Sequence, residues 1–182
     1  MTIRNELKGF PKQLWAILAG VLVFMLGSAM VWPYLTIYMV DKLSLPLHQV
    51  TLLTSIRSLS GVAATFFAGV FADRFGRRKL VLFPVLGGVF YYFGLIQADK
   101  LWQFAALMIF WGVMDVCYPV GVNAMIADMV DDDHRIEAYS LMRIVNNMAY
   151  SIGPILGGLL ASYSYRSMMT ASMISYLIAY IF

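Results

Sequence analysis

Apolar residues run along this chain in long, nearly continuous segments that short polar joints separate. A helix that crosses the roughly 30 Å hydrocarbon core of a bilayer needs about 20 mostly apolar residues. The segments predict six helices, at about 14–40, 48–72, 80–98, 101–127, 139–162 and 167–182. We therefore predict an all-α membrane protein in which residues 1–182 form a single six-helix bundle.

Composition supports this interpretation and excludes several other classes of protein. Hydrophobic residues make up 61% of the chain, against roughly 45–50% in soluble domains. The first apolar segment is much longer than the apolar core of a signal peptide, about 7–15 residues, and it ends at no A-x-A-like cleavage site. We interpret it as a membrane helix.

Few residues in this chain could carry enzymatic or metal chemistry. Cys117 is the single cysteine, so it forms no internal disulfide, and a small buried side chain is the simplest interpretation of it. The sequence has no cluster of cysteines and histidines, and no nucleophile and base at a useful spacing. We therefore expect no metal, no cofactor other than protons as the coupling ion, and no enzymatic activity.

Basic residues in the joints predict the orientation of the helices, because cytoplasmic loops are enriched in Lys and Arg. The N-terminal segment, residues 73–79 and the joint before the fifth helix contain most of them, whereas the opposite joints contain only Lys42, Lys100 and Arg166. We predict a cytoplasmic N-terminus. The net charge of +3 is explained by these joints and does not indicate a nucleic-acid partner.

Interior prolines interrupt the first and fourth helices, at Pro33 and Pro119. Interrupted helices at matching positions of two inverted halves indicate the central site of a transporter, although the fifth helix also has an interior proline, Pro154. We expect Pro84 in the first turn of the third helix, where proline is tolerated. The last segment is short for a bilayer, so we expect the chain to be the N-terminal piece of a longer protein.

Two motifs resemble those of the major facilitator superfamily. The stretch "GVFADRFGRRK" (69–79) resembles that superfamily's signature between the second and third helices, with matching positions at Gly69, Asp73, Arg74, Gly76 and Arg77. The stretch "AYSIGPILGG" (149–158) is similar to the helix-five signature of its drug and proton antiporters, with Ala149 replacing the first glycine. The matching positions there are Gly153, Pro154, Gly157 and Gly158.

The resemblance implies a fold and a role for the first motif. The chain would be the N-terminal half of a twelve-helix transporter. Asp73 would face a helix of the second half, and Arg77 would link it to an acid that closes helix four, here Asp128. Such a cluster would hold the cytoplasmic side shut while the other side is open. Gly76 permits the backbone angles of a tight reversal, and orienting the helices is explanation enough for Arg78 and Lys79.

Three ionisable residues lie inside the apolar segments, namely Arg57, Asp115 and Arg143. Each costs at least about 2.5–3.5 kcal/mol at a helix centre, which makes it a functional candidate. Asp115 lies near the midplane, where burial disfavours the charged carboxylate and suits a proton-binding site. A structural hydrogen bond from a permanently protonated acid is the alternative. Helical spacing places Trp111 and Tyr118 on the same face as Asp115.

Two interpretations are open for each of Arg57, Arg143 and Tyr34. Arg57 either acts as a counter-charge or belongs to a packing face. Arg143 either extends to the membrane surface or faces the interior, as its polar neighbours on the helix, Asn146 and Asn147, favour. Tyr34 either lines a cavity or packs between helices. Drug antiporters of the superfamily often have an arginine in helix four, and Phe110 occupies that position here.

From these residues and the resemblance we predict a secondary active transporter of the plasma membrane, the bacterial inner membrane, that exports amphipathic or lipophilic compounds in exchange for protons by alternating access. The expected partners are the lipid bilayer, a small-molecule substrate and the C-terminal half of the same protein. One alternative is an importer of a polar metabolite, such as a sugar or an organic anion. Another is a non-transporting, half-length membrane regulator or assembly partner.

Overall fold

The computed structural model describes residues 10–182, apart from the side chains of residues 68–73 and 75. Across this range the chain is helical, with no strand. The helices are α1 (Lys12–Leu43), α2 (Leu47–Phe75), α3 (Arg77–Gln97), α4 (Leu101–Met129), α5 (Arg135–Tyr163) and α6 (Tyr165–Ala179), with a single 3-10 turn (Asp132–His134) before α5. Helices α1 to α5 are long and apolar enough to cross a membrane. The predicted all-α, six-helix membrane fold is confirmed.

The joint between α2 and α3 is much shorter than the sequence suggested. Gly76 alone interrupts the helices, because α2 continues to Phe75 and α3 begins at Arg77. Gly76 has φ 83° and ψ 149°, a conformation that glycine adopts without a steric penalty. Since α3 begins earlier than expected, Pro84 lies inside that helix, and its predicted place in the first turn is wrong.

The bundle has two ends, which we name by one residue each. The Gly76 end contains the joints α2–α3 and α4–α5, and the Asp99 end contains the joints α1–α2, α3–α4 and α5–α6. The most extensive helix contacts are those of α1 with α5 and of α2 with α4. Helix α3 packs on α4 and α6, and α6 packs on α1.

Aromatic side chains fill the core between α1, α3, α4 and α6. Phe24 stacks on Tyr118 with ring centres 3.6 Å apart, and Tyr91 stacks on Trp111 at 4.9 Å. Tyr176 of α6 is fully buried. Large aromatic rings bury a great deal of apolar surface, so this cluster holds the bundle together, while α2 and α5 expose many apolar side chains to their surroundings.

Glycines allow close backbone approach at two helix crossings. A Cβ atom added to Gly157 of α5 would lie 2.1 Å from the carbonyl oxygen of Met30 of α1. A Cβ atom on Gly112 of α4 would lie 2.3 Å from the carbonyl oxygen of Arg57 of α2. Any side chain at either position would overlap the facing backbone. Small residues at such contacts let membrane helices approach closely.

Candidate functional site

An ion pair joins α2 to α4 near the middle of the bundle. Arg57 Nη2 donates a hydrogen bond to Asp115 Oδ2 at 2.7 Å. Asp115 is the central residue of the 29-residue helix α4, so the pair is remote from both ends of that helix. Gly112 lies one turn before Asp115 and lets α4 approach the α2 backbone at Arg57. The structure therefore brings together two of the three charges that the sequence places inside the membrane.

Trp32 of α1 completes the surroundings of this pair. The guanidinium carbon of Arg57 lies 4.0 Å from the centre of the Trp32 ring, well within the roughly 6 Å of a cation–π interaction. The Arg57 side chain is only 14% exposed, whereas that of Asp115 is 46% exposed and Trp32 is 45% exposed. Asp115 and Trp32 thus reach a surface that this chain leaves open, which we call the open face.

Trp111 and Tyr118 do not lie on the open face. They are 2% and 3% exposed and stack on Tyr91 and Phe24 inside the core. Helical spacing puts both of them to one side of Asp115, and that side faces the core, because Asp115 stands at the border between core and open face. The two aromatic residues therefore pack on the core side of α4, where Trp111 also lines a small pocket with Trp32 and Arg57. Their predicted part in a central cavity stays a prediction.

Polar residues follow α5 along a groove that is open to the outside. The groove is lined by Asn123, Tyr139, Met142, Arg143 and Asn146. The Tyr139 hydroxyl donates a hydrogen bond to the Asn123 carbonyl oxygen at 3.1 Å. Arg143 and Asn147 are exposed, and Asn146 is half-buried. No ion pair of Arg143 occurs among the described side chains, so the structure does not bring Arg143 to Asp115.

The helix-five motif lies against α1. Gly153 and Gly157 contact the α1 backbone at Ala29 and Met30. The Tyr34 hydroxyl donates to the Pro154 carbonyl oxygen at 2.9 Å, and a Cβ atom on Gly158 would lie 2.6 Å from that hydroxyl. Of the two interpretations of Tyr34, the structure thus gives it a packing contact that fastens α1 to α5.

Two arginines close the end of α4 at the Gly76 end. Arg77 forms an ion pair with Asp128 and donates to the Ala124 carbonyl oxygen at 3.2 Å. Arg135 pairs with Asp132 and donates to the Ala127 carbonyl oxygen at 2.8 Å. The last four carbonyl groups of a helix lack partners within it, and Arg135 supplies one to Ala127, whereas Arg77 adds a contact to a carbonyl group that lies further inside the helix.

For the remaining positions of the first motif, the structure gives few side-chain contacts. Arg74 and Gly76 are exposed. Gly69 and Asp73, predicted to belong to the gate, lie outside the residues whose side chains are described. Their roles stay predictions.

Sequence reasoning missed three residues that shape these sites. Trp32 covers Arg57 only because α1 and α2 meet in a particular register, which no one-dimensional pattern specifies. Gly112 had a usable signal, since a glycine one helical turn from a charge in an apolar segment indicates close approach of another backbone. Arg135 also had one, because a basic residue just beyond a helix C-terminus is a common partner for its carbonyl groups.

Six packed helices, five of them apolar enough to span a bilayer, define a multi-pass membrane protein. A family model described as Major Facilitator Superfamily matches residues 17–182. The chain belongs to the major facilitator superfamily, and the family recognised from the two motifs is confirmed. Named relatives in the comparison are transporters rather than enzymes.

The similar proteins are about twice as long as this chain or longer. The chain is 28% identical over 180 residues to a Na(+), Li(+), K(+)/H(+) antiporter of Planococcus maritimus, covering 95% of this chain and 42% of that protein. It is 32% identical over 145 residues to multidrug resistance protein MdtG of Serratia proteamaculans, covering 76% of this chain and 35% of that protein.

A solved structure shows the same fold. The human organic anion transporter MFSD10 matches with a TM-score of 0.70 at 15% identity, over 93% of this chain and 46% of that one. The chain therefore spans less than half the length of each of these proteins.

Proposed function

We propose that the protein containing this chain is a secondary active transporter that exports amphipathic or lipophilic compounds in exchange for protons, by alternating access between two halves. The observation that carries the proposal is the Arg57–Asp115 pair, an ionisable pair at mid-height whose carboxylate reaches the open face. Similarity to a multidrug resistance protein and to a proton antiporter supports it. The chain would supply the N-terminal half, with its N-terminus in the cytoplasm.

Asp115 is the proton-binding group in this proposal. The guanidinium of Arg57 at 2.7 Å stabilises the charged carboxylate. Proton uptake removes that charge and weakens the pair, so protonation and separation of α2 from α4 at this level favour one another. The Arg57 side chain is mostly buried, so its charge is poorly compensated once Asp115 is neutral. The protonation state of Asp115 would thus bias the bundle between two arrangements.

The Arg77–Asp128 pair serves as part of a gate in the same proposal. It lies at the Gly76 end and also binds a carbonyl oxygen of α4. Together with Asp73, it would hold this side shut against the second half of the protein while the other side is open. The expected partners are that second half, the lipid bilayer and a small-molecule substrate, in a bacterial inner membrane.

The test uses the full-length protein in liposomes. Adding a transported lipophilic compound should drive proton movement, recorded with a pH-sensitive dye. Asp115→Asn should abolish this movement while leaving the protein folded. The matched control is Asp99→Asn, which removes the same charge from an ion pair with Lys42 at the Asp99 end. Proton movement should be unchanged in this control. Unchanged proton movement in Asp115→Asn would remove Asp115 from the coupling.

Exchange of monovalent cations for protons is a second candidate. It is favoured by the similarity to the Planococcus maritimus antiporter, which extends over 95% of this chain. The same liposomes decide between the two candidates. Proton movement driven by a sodium or potassium gradient, with no response to lipophilic compounds, would support cation exchange and contradict the export of such compounds.

A further inference from the structure

The guanidinium of Arg57 occupies an arrangement that would itself bind a cation. The Trp32 indole lies 4.0 Å from the guanidinium carbon, and the Asp115 carboxylate accepts a hydrogen bond from its edge at 2.7 Å. An aromatic face and a carboxylate are two groups by which proteins bind organic cations. The two side chains come from α1 and α4, and the occupant comes from α2.

The geometry of the occupant indicates the shape of ligand that fits. A guanidinium group is flat, so it can stack on an aromatic ring and still point N–H groups outward in its own plane. In this structure the guanidinium carbon of Arg57 lies over the indole and Nη2 is directed at the carboxylate. A quaternary ammonium or phosphonium ion carries no N–H group, so it can contact the ring but cannot donate a hydrogen bond to the carboxylate.

The two binding groups are accessible, whereas the present occupant is not. Trp32 and Asp115 are both close to half exposed on the open face, and the Arg57 side chain is mostly buried. Arg57 Nε is buried without a hydrogen-bond partner among the described groups. A buried donor without a partner costs free energy, so the guanidinium of Arg57 is bound less tightly than a fully hydrogen-bonded group. A ligand that enters from the open face would compete with this incompletely hydrogen-bonded guanidinium.

We propose that Trp32 and Asp115 form a binding site for planar organic cations that carry N–H groups, such as aryl guanidines and amidines, and that the Arg57 guanidinium is its built-in competitor. The proposal rests on the proposed function, because it assigns a substrate class to the same carboxylate. The carboxylate of Asp115 accepts hydrogen bonds from the N–H edge of such a cation, and the Trp32 indole contacts its face.

The test measures the binding of phenylguanidine, which is cationic at neutral pH, to the purified full-length protein by titration calorimetry in detergent. Arg57→Gln removes the competitor and should lower the dissociation constant about tenfold, equivalent to about 1.4 kcal/mol. The matched control, Arg143→Gln, removes the same charge from the α5 groove and should change the constant by less than about twofold. No gain in Arg57→Gln, or an equal gain in Arg143→Gln, would overturn the proposal.

Further variants separate the two contacts. Adding Trp32→Leu to Arg57→Gln should cancel the gain, and adding Trp32→Phe should keep part of it, since tryptophan is the strongest cation–π partner. If Arg57→Gln does not fold, Arg57→Lys keeps a charge for Asp115 without a flat guanidinium and should give a smaller gain, about threefold. No gain in a folded Arg57→Lys would then overturn the proposal.

Tetraphenylphosphonium tests the requirement for a planar N–H cation. It carries one positive charge but lacks both a flat cationic centre and N–H groups, so Arg57→Gln should tighten its binding far less than that of phenylguanidine. An equal gain for the two cations would mean that only charge repulsion was relieved, which contradicts the proposed site.

Binding without a gradient also separates this proposal from the transport proposal. The expected binding pattern together with no proton movement in liposomes would support the cation site and contradict the coupling. Loss of proton movement in Asp115→Asn without the binding pattern would support the coupling and contradict the cation site.

Discussion

Two helix crossings in this bundle both depend on glycine for close backbone approach, but they hold different side chains. At the α1–α5 crossing, Gly153 and Gly157 face the backbone of Ala29 and Met30. At the α2–α4 crossing, Gly112 faces the carbonyl group of Arg57. The first crossing encloses apolar side chains and one tyrosine hydrogen bond, and the second holds an ion pair one turn from its glycine.

The difference between the two crossings shows that close packing at a glycine can both stabilise the bundle and fix the position of charged side chains. Close approach of two backbones gives van der Waals contact wherever it occurs. Next to a charged residue it does more, because it fixes how far a carboxylate on one helix stands from a guanidinium on the other. We therefore expect substitutions at α1–α5 to act on stability, and substitutions at α2–α4 to act on stability and on proton movement.

Gly112→Ala should have the largest effect. Its Cβ atom would lie 2.1 Å from Ser60 Oγ and 2.3 Å from the Arg57 carbonyl oxygen, so α4 must move away from α2. Overpacking of this kind costs about 1–3 kcal/mol, and the displacement separates Arg57 from Asp115. We expect a lower free energy of unfolding, measured by SDS titration in mixed micelles, and loss of substrate-driven proton movement in liposomes.

Gly87→Ala is the control for a new methyl group on a bundle helix. The nearest atoms to its Cβ atom would be side-chain atoms of Phe110 and Met114, at 3.2 and 3.4 Å, and these side chains can shift. It should leave proton movement unchanged. Normal coupling in Gly112→Ala would contradict the role of this crossing in placing the pair.

Gly157→Ala should destabilise the protein as much as Gly112→Ala but act differently on function. Its Cβ atom would lie 2.1 Å from the Met30 carbonyl oxygen, so we expect a loss of about 1–3 kcal/mol in the free energy of unfolding. The Arg57–Asp115 pair is on other helices and stays in place. Proton movement per folded molecule, normalised by size-exclusion chromatography, should remain close to that of the natural protein. A selective loss of coupling would mean that the two crossings are not independent.

Much of the fold could be predicted from the sequence, because a bilayer imposes a length on each apolar segment. Prediction failed at Gly76, where charged residues suggested a seven-residue turn and the chain needs only one non-helical residue. Arginine and lysine are good helix formers, so Arg77, Arg78 and Lys79 could join α3 while their charges stayed at the membrane surface.

The candidate site was predicted less completely, because its contacts join different helices. Depth along each helix singled out Arg57 and Asp115, since both follow from counting residues. Their pairing, and the indole of Trp32 over the guanidinium, depend on how α1, α2 and α4 are rotated and displaced against one another. A helical wheel gives a direction but not the neighbour in that direction, which is why it could not separate Trp111 and Tyr118 in the core from Asp115 on the open face.

Tyr34→Phe should have a smaller effect, confined to the α1–α5 crossing. It removes the hydrogen bond from the hydroxyl to the Pro154 carbonyl oxygen at 2.9 Å while keeping the aromatic ring. A typical hydrogen bond contributes about 1 kcal/mol, and the free energy of unfolding should fall by about that amount, with proton movement unchanged. Loss of coupling in this variant would instead assign Tyr34 to the transport site.

Lys42→Gln should have the smallest effect of all, because it breaks an ion pair that is exposed to water. Lys42 Nζ lies 2.7 Å from Asp99 Oδ1, as close as the two atoms that join Arg57 to Asp115, but the Asp99 side chain is 72% exposed. Exposed ion pairs contribute about 0–1 kcal/mol, because water and ions screen them. We expect no measurable change in proton movement, and a change in the free energy of unfolding below that of Tyr34→Phe. A larger loss would show that distance alone governs the strength of these pairs and that their exposure to water does not.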